Sequence, residues 1–257
     1  MATLLQCFPM SGNNRNLEWE GCHNVRDLGG LATEDGRQTA WGSLLRADLL
    51  GRLTAQGRQQ LLDYGVHTII DLRSAEEAAK DPSAVFAAED GAPAYVRVQM
   101  DEARPQVRAL MKQVETRVEI YNIALDHYQD SNAAVMRAIA GAEPGGLVFH
   151  CHSGKDRTGM IAALLLSLAG VEEEAIAADF AATRERLWPQ YQKWLDDAGG
   201  KEDVSRWYIS NTEPQTMLDM LAHLRDKYGG TEAYLLQAGQ TAEEIHRLRS
   251  RLIETKP

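Results

Sequence analysis

Residues 144–169 open with Pro144-Gly145-Gly146-Leu147-Val148-Phe149-His150, pass through Cys151-His152-Ser153-Gly154-Lys155-Asp156-Arg157-Thr158-Gly159, and continue as Met160-Ile161-Ala162-Ala163-Leu164-Leu165-Leu166-Ser167-Leu168-Ala169. Three kinds of local structure follow one another in this stretch. Leu147 to His150 is a short, continuous apolar run introduced by Pro-Gly-Gly, the pattern of a strand buried on both faces of a parallel sheet. Residues 157–168 are rich in Ala and Leu and stop at Gly170, as a helix does. Between them lies a short segment dense in glycine and charge. A strand, a tight loop and a helix N-terminus in that order bind anions, because successive backbone N–H groups converge and the helix dipole adds partial positive charge. In open parallel sheets the ligand site lies beyond the carboxyl ends of the strands, and Cys151 falls there.

The neighbouring segments extend the pattern. Thr68-Ile69-Ile70-Asp71-Leu72 and Tyr95-Val96-Arg97-Val98 read as further strands, with Ser43-Leu44-Leu45-Arg46 as a fourth. Thr54 is placed to cap a helix carrying Leu61 and Leu62 and ending at Tyr64-Gly65. Ser74 and Glu77 have capping-box spacing, and residues 108–140 read as mostly helical. After Val171 the pattern is helical. Ile176, Phe180 and Leu187 share one face, with Pro189 expected to break or restart the helix. Met217, Leu221 and Leu224 mark another helix, ending at Tyr228-Gly229-Gly230. Thr241 and Glu244 form a second capping-box pair. The expected fold is α/β, a mostly parallel central sheet flanked by helices with a helical C-terminal region. We expect a single domain over 1–257, with an N-terminal arm over 1–20 and residues 171–257 packed on the α/β core.

Composition agrees with a globular protein. Of 257 residues, 44% are hydrophobic and 25% charged, which excludes a disordered chain. The net charge of −10 argues against a general nucleic-acid coat, but a local field can still favour an anionic substrate. The apolar run at 160–169 is about half the roughly 20 residues that cross a bilayer. The N-terminus lacks a basic segment followed by a long apolar stretch, so no secretion signal is expected. Three cysteines, Cys7, Cys22 and Cys151, are too few for a disulfide scaffold and fit a cytoplasmic protein with reduced thiols. No metal site is expected: His150, Cys151 and His152 diverge on alternate faces, and no further ligand pair completes a tetrahedron.

The signature segment carries chemistry through its spacing. Five residues separate Cys151 from Arg157, which lets the loop curl with sulfur at its floor and guanidinium at its rim. The field that holds a phosphate dianion also favours a thiolate over a thiol. Arg157 offers a planar fork to equatorial phosphate oxygens, where transition-state charge gathers. Lys155 adds a charge at the mouth, Thr158 offers a hydroxyl to the thiolate, and Gly154 and Gly159 permit the turn and close packing. The plainer alternative is a buried structural cysteine beside a charged surface.

His150-Cys151-His152-Ser153-Gly154-Lys155-Asp156-Arg157-Thr158-Gly159 resembles the HCxxGxxRT/S signature of the cysteine-dependent phosphatases. The variant is similar to that of the bacterial tyrosine/serine phosphatases of the lipid-phosphatase-like subgroup. Asn24-Val25-Arg26-Asp27-Leu28-Gly29-Gly30, Trp41-Gly42-Ser43-Leu44-Leu45-Arg46 and Ile70-Asp71-Leu72-Arg73-Ser74 resemble other elements of that group, as does the stretch from Ala233-Tyr234-Leu235 to Ile245. The resemblance implies a two-step hydrolysis without metal or cofactor, in which Cys151 takes the phosphoryl group and water releases it. It implies phosphorylated proteins or phosphoinositides as substrates and inorganic phosphate as product and ligand; the chain's acidity gives no reason to expect a nucleic-acid partner.

The leaving oxygen needs a proton. Asp71, at a strand end and matching the acid proposed for the resembling group, is the first candidate; Asp156 inside the loop is its rival and Asp101 a third. Asp71 can equally be a strand-end carboxylate paired with Arg73. His152, Ser153, Gly154, Lys155 and Thr158 are candidate substrate-binding positions, and His150 is expected to brace the loop. Arg26-Asp27 and Arg46-Asp48 read as internal ion pairs. Trp188, Tyr191 and Trp194 read as core or lid packing. Cys22 is a distant candidate for an oxidative disulfide with Cys151. Rival functions are an inositol-phosphate or phosphoinositide phosphatase with little protein activity, a catalytically silent phosphate-binding module, and thiol-based sulfur transfer or arsenate reduction.

Overall fold

The computed structural model describes residues 14–81, 91–101, 104–197 and 212–254. The N-terminal arm is therefore described from residue 14 onward, and Cys7 and the side chain of Trp194 lie outside the described residues. The strands are β1 (Arg26–Asp27), β2 (Leu44–Ala47), β3 (Val66–Asp71), β4 (Ala94–Arg97) and β5 (Gly146–His150). Their order in the sheet is β1-β2-β5-β3-β4. β2, β5, β3 and β4 run parallel, and β1 joins the edge antiparallel to β2. The strand preceding Cys151 is thus the central one. Its residues are all buried, which is why it reads as an unbroken apolar run rather than an alternating one.

Helices α1 (Ala55–Asp63), α2 (Ala75–Lys80), α3 (Pro105–Met111), α4 (Arg117–His127) and α5 (Gln129–Gly141) precede β5. Helices α6 (Asp156–Leu168), α7 (Glu173–Ala181), α8 (Thr183–Asp197), α9 (Pro214–Tyr228), α10 (Thr231–Gln237) and α11 (Ala242–Leu252) follow it. Thr54 caps α1, and Ser74 with Glu77 closes a capping box on α2. Thr116–Glu119 and Thr241–Glu244 do the same for α4 and α11.

Strand alternation divides the interior in two. Leu44, Ile70, Leu147 and Phe149 face one core, shared with α5, α6, α7 and the C-terminal helices. Leu45, Ile69 and Val148 face another, shared with α1, Trp19, Cys22 and Val25. The helices after Val171 pack on α4, α5 and α6. α6 is apolar nearly all round because it runs through the larger core. Truncating Leu164 there removes a fully buried side chain and costs about 2–5 kcal/mol.

Two features differ from the sequence reading. The helical stretch expected over 108–140 is three helices, because Thr116 and Tyr128 start new ones. Pro189 does not break the chain: it lies inside α8, and the restart is at Ala182. Pro189 and Glu185, whose carbonyl loses its helical donor, are both exposed, so water can replace the missing bond.

Candidate active site

β5 ends at His150, and α6 begins at Asp156, so the signature loop is the turn between them. Three successive carbonyls of this turn are drawn to one side. His152 O accepts from Leu49 N at 3.1 Å, and Ser153 O from Asn24 Nδ2 at 3.0 Å. Gly154 O accepts from Asn24 Nδ2 at 3.1 Å and from Arg46 Nη2 at 2.7 Å. The peptides are trans, so each amide N–H points opposite to the carbonyl it shares a plane with. The N–H groups of Ser153, Gly154 and Lys155 therefore turn together toward the other side, an arrangement suited to an anion. Gly154 has φ +65, and a Cβ there would stand 2.5 Å from Ala47 O, so only glycine permits this path.

The donors behind the loop belong to a buried charge cluster. Arg46 Nη1 bonds Asp179 Oδ2 at 2.6 Å, and Arg26 Nε reaches Asp179 Oδ1 at 3.3 Å. Arg15 adds a third pair to the same carboxylate. Burial alone would raise Asp179, but Arg26, Arg46 and Arg15 hold it well below the carboxylate range. Burial pulls Arg26 below its ordinary range, with Asp179 opposing. The expected pairs within Arg26-Asp27 and Arg46-Asp48 do not form. Asp27 accepts from Gly29 N, Gly42 N and the Tyr64 hydroxyl, and Asp48 from His23 N and Asn24 N. Arg26 and Asp27 are neighbours on β1 and point to opposite faces. Asp48 lies beyond the end of β2, and its carboxylate turns to the His23 and Asn24 amides rather than to Arg46.

Cys151 is 2% exposed at the start of the turn. Arg157 lies at its far end, in the first turn of α6. Glu77 grips the Arg157 guanidinium through two bonds of 2.7 Å, and Asp101 approaches Nη1 at 3.3 Å. Burial would lower Arg157, yet Glu77, the Cys151 charge and Asp101 together raise it. Glu77 meanwhile accepts from Ser74 N, so one carboxylate both caps α2 and aims Arg157. Arg157 holds Glu77 down to about 2, its bond outweighing burial. The sequence reading saw only the cap. Lys155 is buried, which lowers it, while Asp156 and Cys151 favour its charge. Thr158 Oγ1 is buried with no hydrogen-bond partner among the described residues. His152 and Ser153 are partly exposed on the loop.

The three aspartates differ. Asp71 is fully buried, pairs with Arg73 through Nε at 2.9 Å and Nη2 at 2.7 Å, and accepts from Tyr95 at 2.6 Å. Burial pushes it up, but Arg73, His150 and Tyr95 win and hold it at about 2. Asp156 is one-third exposed; its Oδ1 accepts from Tyr121 at 2.7 Å, and Lys155 stands 3.8 Å from Oδ2. Asp101 is raised by burial, against the pull of Arg157. His150 Nδ1 lies 2.9 Å from Cys151 O and braces the loop there, and burial lowers its pKa. Cys22 packs in the other core, its Sγ 3.4 Å from Leu49 O, and burial followed by Asp48 raises it well above the thiol range. Tyr191 is buried as expected for packing, whereas Trp188 is exposed.

A cavity of about 270 Å³ abuts Asp156, Arg157 and Asp101, with Met100, Met111 and Met160 in its walls. A larger depression of about 650 Å³, bordered by Trp41, Pro144 and Arg251, lies at the opposite, N-terminal ends of β2 and β5. The former lies beyond the carboxyl ends of the strands, where open parallel sheets place their ligand sites.

The strand, turn and helix that carry Cys151 and Arg157 lie within a family match that spans nearly the whole chain. The model of the tyrosine phosphatase family matches residues 17–254. A tyrosine-protein phosphatase of Nostoc commune is 33% identical over 219 residues, covering 82% of this chain and 74% of its own. A triple-specificity protein phosphatase, PtpB, of Mycobacterium tuberculosis is 27% identical over 261 residues, 89% of each chain. No helix among the described residues is long and apolar enough to cross a membrane. The chain belongs to the tyrosine phosphatase family, and it is an enzyme that hydrolyses phosphate monoesters.

Proposed function

We propose that this phosphatase works through a phosphocysteine on Cys151. In this reading its main substrates are phosphotyrosine proteins, and it also accepts phosphoserine, phosphothreonine and phosphoinositides. The observation that carries the reading is the set of three loop carbonyls anchored to Leu49, Asn24 and Arg46, which leaves the amides of Ser153, Gly154 and Lys155 facing away from those anchors. Such amides bind the phosphate before reaction and its equatorial oxygens in the transition state, without reorganising. His152, Ser153, Gly154 and Lys155 supply the cradle, Thr158 its hydroxyl, and Arg157 the two-pronged clamp. Cys151 Sγ attacks phosphorus, the bond to the leaving oxygen breaks, and water then cleaves the S–P bond to release inorganic phosphate. The breadth of specificity draws support from the PtpB relative, named for triple specificity. The methionine-walled cavity beside Arg157 favours an apolar or aromatic leaving group. Free thiols at Cys22 and Cys151 fit work in the cytoplasm.

Asp156 serves as the proton donor in this reading. Asp71 is wholly buried, has both oxygens engaged by Arg73 and Tyr95 and does not line the cavity, whereas Asp156 does; Asp71 anchors Arg73 and the end of β3 instead. Asp101 lies against the Arg157 guanidinium and steadies it.

The test is phosphate release from phosphotyrosine, phosphoserine and phosphothreonine peptides and from phosphoinositides, with Cys151→Ser, Asp156→Asn, Asp71→Asn and Asp101→Asn beside the wild type. Cys151→Ser is expected to abolish turnover. Asp156→Asn is expected to lose about 10²–10⁴-fold on substrates with poor leaving groups. Turnover by Cys151→Ser would refute the nucleophile. A larger leaving-group-dependent loss in Asp71→Asn or Asp101→Asn would move the acid there. Phosphate binding without turnover by the wild type would mark a silent module.

A further inference from the structure

We infer that Tyr121 is the positioning residue that aims Asp156 for proton delivery, an inference that rests on Asp156 being the acid. Tyr121 lies on α4, 1% exposed, and its hydroxyl donates to Asp156 Oδ1 at 2.7 Å. Asp156 opens α6, where an acidic side chain would ordinarily serve its own helix dipole. Its carboxylate reaches across to α4 instead. Tyr121 makes the short contact, while Arg117 and Lys155 stand off at 3.7 and 3.8 Å.

The tyrosine is held as firmly as it holds. Its ring meets Phe180 edge-on, with centroids 6.2 Å apart and planes at 85°. Phe180 in turn fills the space beside Gly159, where an added Cβ would stand 3.0 Å from the ring. Phe180 follows Asp179, which anchors Arg46 behind the loop. The acid and the phosphate cradle are thus keyed to the same helix, α7. Burial, then the Asp156 charge, raises Tyr121 well above the ordinary phenol range, so its hydroxyl remains a neutral donor whenever the enzyme works.

Two chemical consequences follow. With Oδ1 accepting from Tyr121, Oδ2 is the oxygen left to pass a proton to the leaving group. As Cys151 Sγ bonds to phosphorus, the P–O bond to the leaving group breaks, and the Oδ2 proton passes to the departing oxygen. Asp156 ends as a carboxylate and Tyr121 keeps its proton. The Tyr121 hydrogen bond strengthens as that negative charge develops, because a charge-assisted bond is roughly twice as strong as a neutral one. An interaction that tightens in the transition state accelerates the step rather than merely binding substrate. Packing alone would be served equally by phenylalanine.

The test compares wild type, Tyr121→Phe, Asp156→Asn and the double variant on phosphate esters running from p-nitrophenyl to a simple alkyl phosphate. Inhibition by inorganic phosphate reports the loop. Tyr121→Phe is expected to lose roughly tenfold or more in kcat on the alkyl ester and about twofold or less on the p-nitrophenyl ester, with KM and phosphate inhibition kept. In the Asp156→Asn background the same change is expected to add less than about twofold, since the two residues act as a unit. Tyr121→p-aminophenylalanine, which retains a donor, is expected to recover part of the alkyl-ester activity, and it carries the test if Tyr121→Phe loses phosphate binding. A uniform loss across the series, wild-type kcat on the alkyl ester, full additivity in the double variant, or no recovery by the donor-bearing variant overturns the inference while leaving Asp156 as acid. Wild-type alkyl-ester turnover by Asp156→Asn overturns the acid assignment itself.

Discussion

The two sides of the signature loop are built on opposite principles. Behind it, Asn24, Arg26, Arg46 and Asp179 are buried, and the acceptors there are saturated: Asp179 receives three arginines and Gly154 O two donors. In front of it, Asp156, Arg157 and Asp101 remain partly open to the cavity and hold bonds that a substrate can exchange. Saturated buried charge is costly to disturb, so it fixes backbone geometry. Partly solvated charge gives up its partner cheaply, so it is available for binding and proton transfer. The same division separates the aspartates: Asp71 shares the buried logic and Asp156 the open one.

The sharpest way to break this contrast is to remove the carboxylate behind the loop. Asp179→Ala leaves Arg26 and Arg46 buried without their partner and is expected to destabilise by about 3–5 kcal/mol, read by chemical denaturation. A stability loss under about 1 kcal/mol would show that the cluster is not what holds the loop. In front, Arg157→Lys keeps the charge and loses the fork. Thermal stability should change little, while kcat falls about 10²–10³-fold. A matching loss of folding would erase the distinction between the two sides.

Asp71 offers a test by pH. Its folded value of about 2 lies below its ordinary 3.8, so it contributes stability above about pH 4. That contribution, about 2 kcal/mol, is lost as pH falls through 4 toward 2. Asp71→Asn should flatten the stability curve in that window. An unchanged slope there would mean that Asp71 is not held ionised by Arg73. The smallest effect is expected for Asn24→Ala, which removes one of the two donors to Gly154 O and the side-chain donor to Ser153 O. Phosphate inhibition should weaken by about 1 kcal/mol with Arg46 still in place.

Much of this arrangement is legible in the chain because it is local. The apolar run at Leu147, the glycine at 154 and the capping pairs at Ser74 and Thr241 each announce themselves within a few residues. The pairing of Arg26 and Arg46 with Asp179, over 130 residues away, is invisible locally, and adjacency suggests the wrong partners, Asp27 and Asp48. Glu77 hides its grip on Arg157 behind its role as a cap. Tyr121 carries no local signal, because its partner Asp156 lies 35 residues further along the chain. Pro189 misleads for a different reason: propensity expects a break, and the exposure of its face removes the cost.

Turnover in this enzyme hinges on a covalent bond between phosphorus and Cys151. Mixing enzyme with a good aryl phosphate, quenching in acid within a turnover and mapping peptides by mass tests it directly. A transient phosphoryl group is expected on the peptide containing Cys151, accumulating before steady state and absent in Cys151→Ser. Full turnover with that peptide never modified would contradict it.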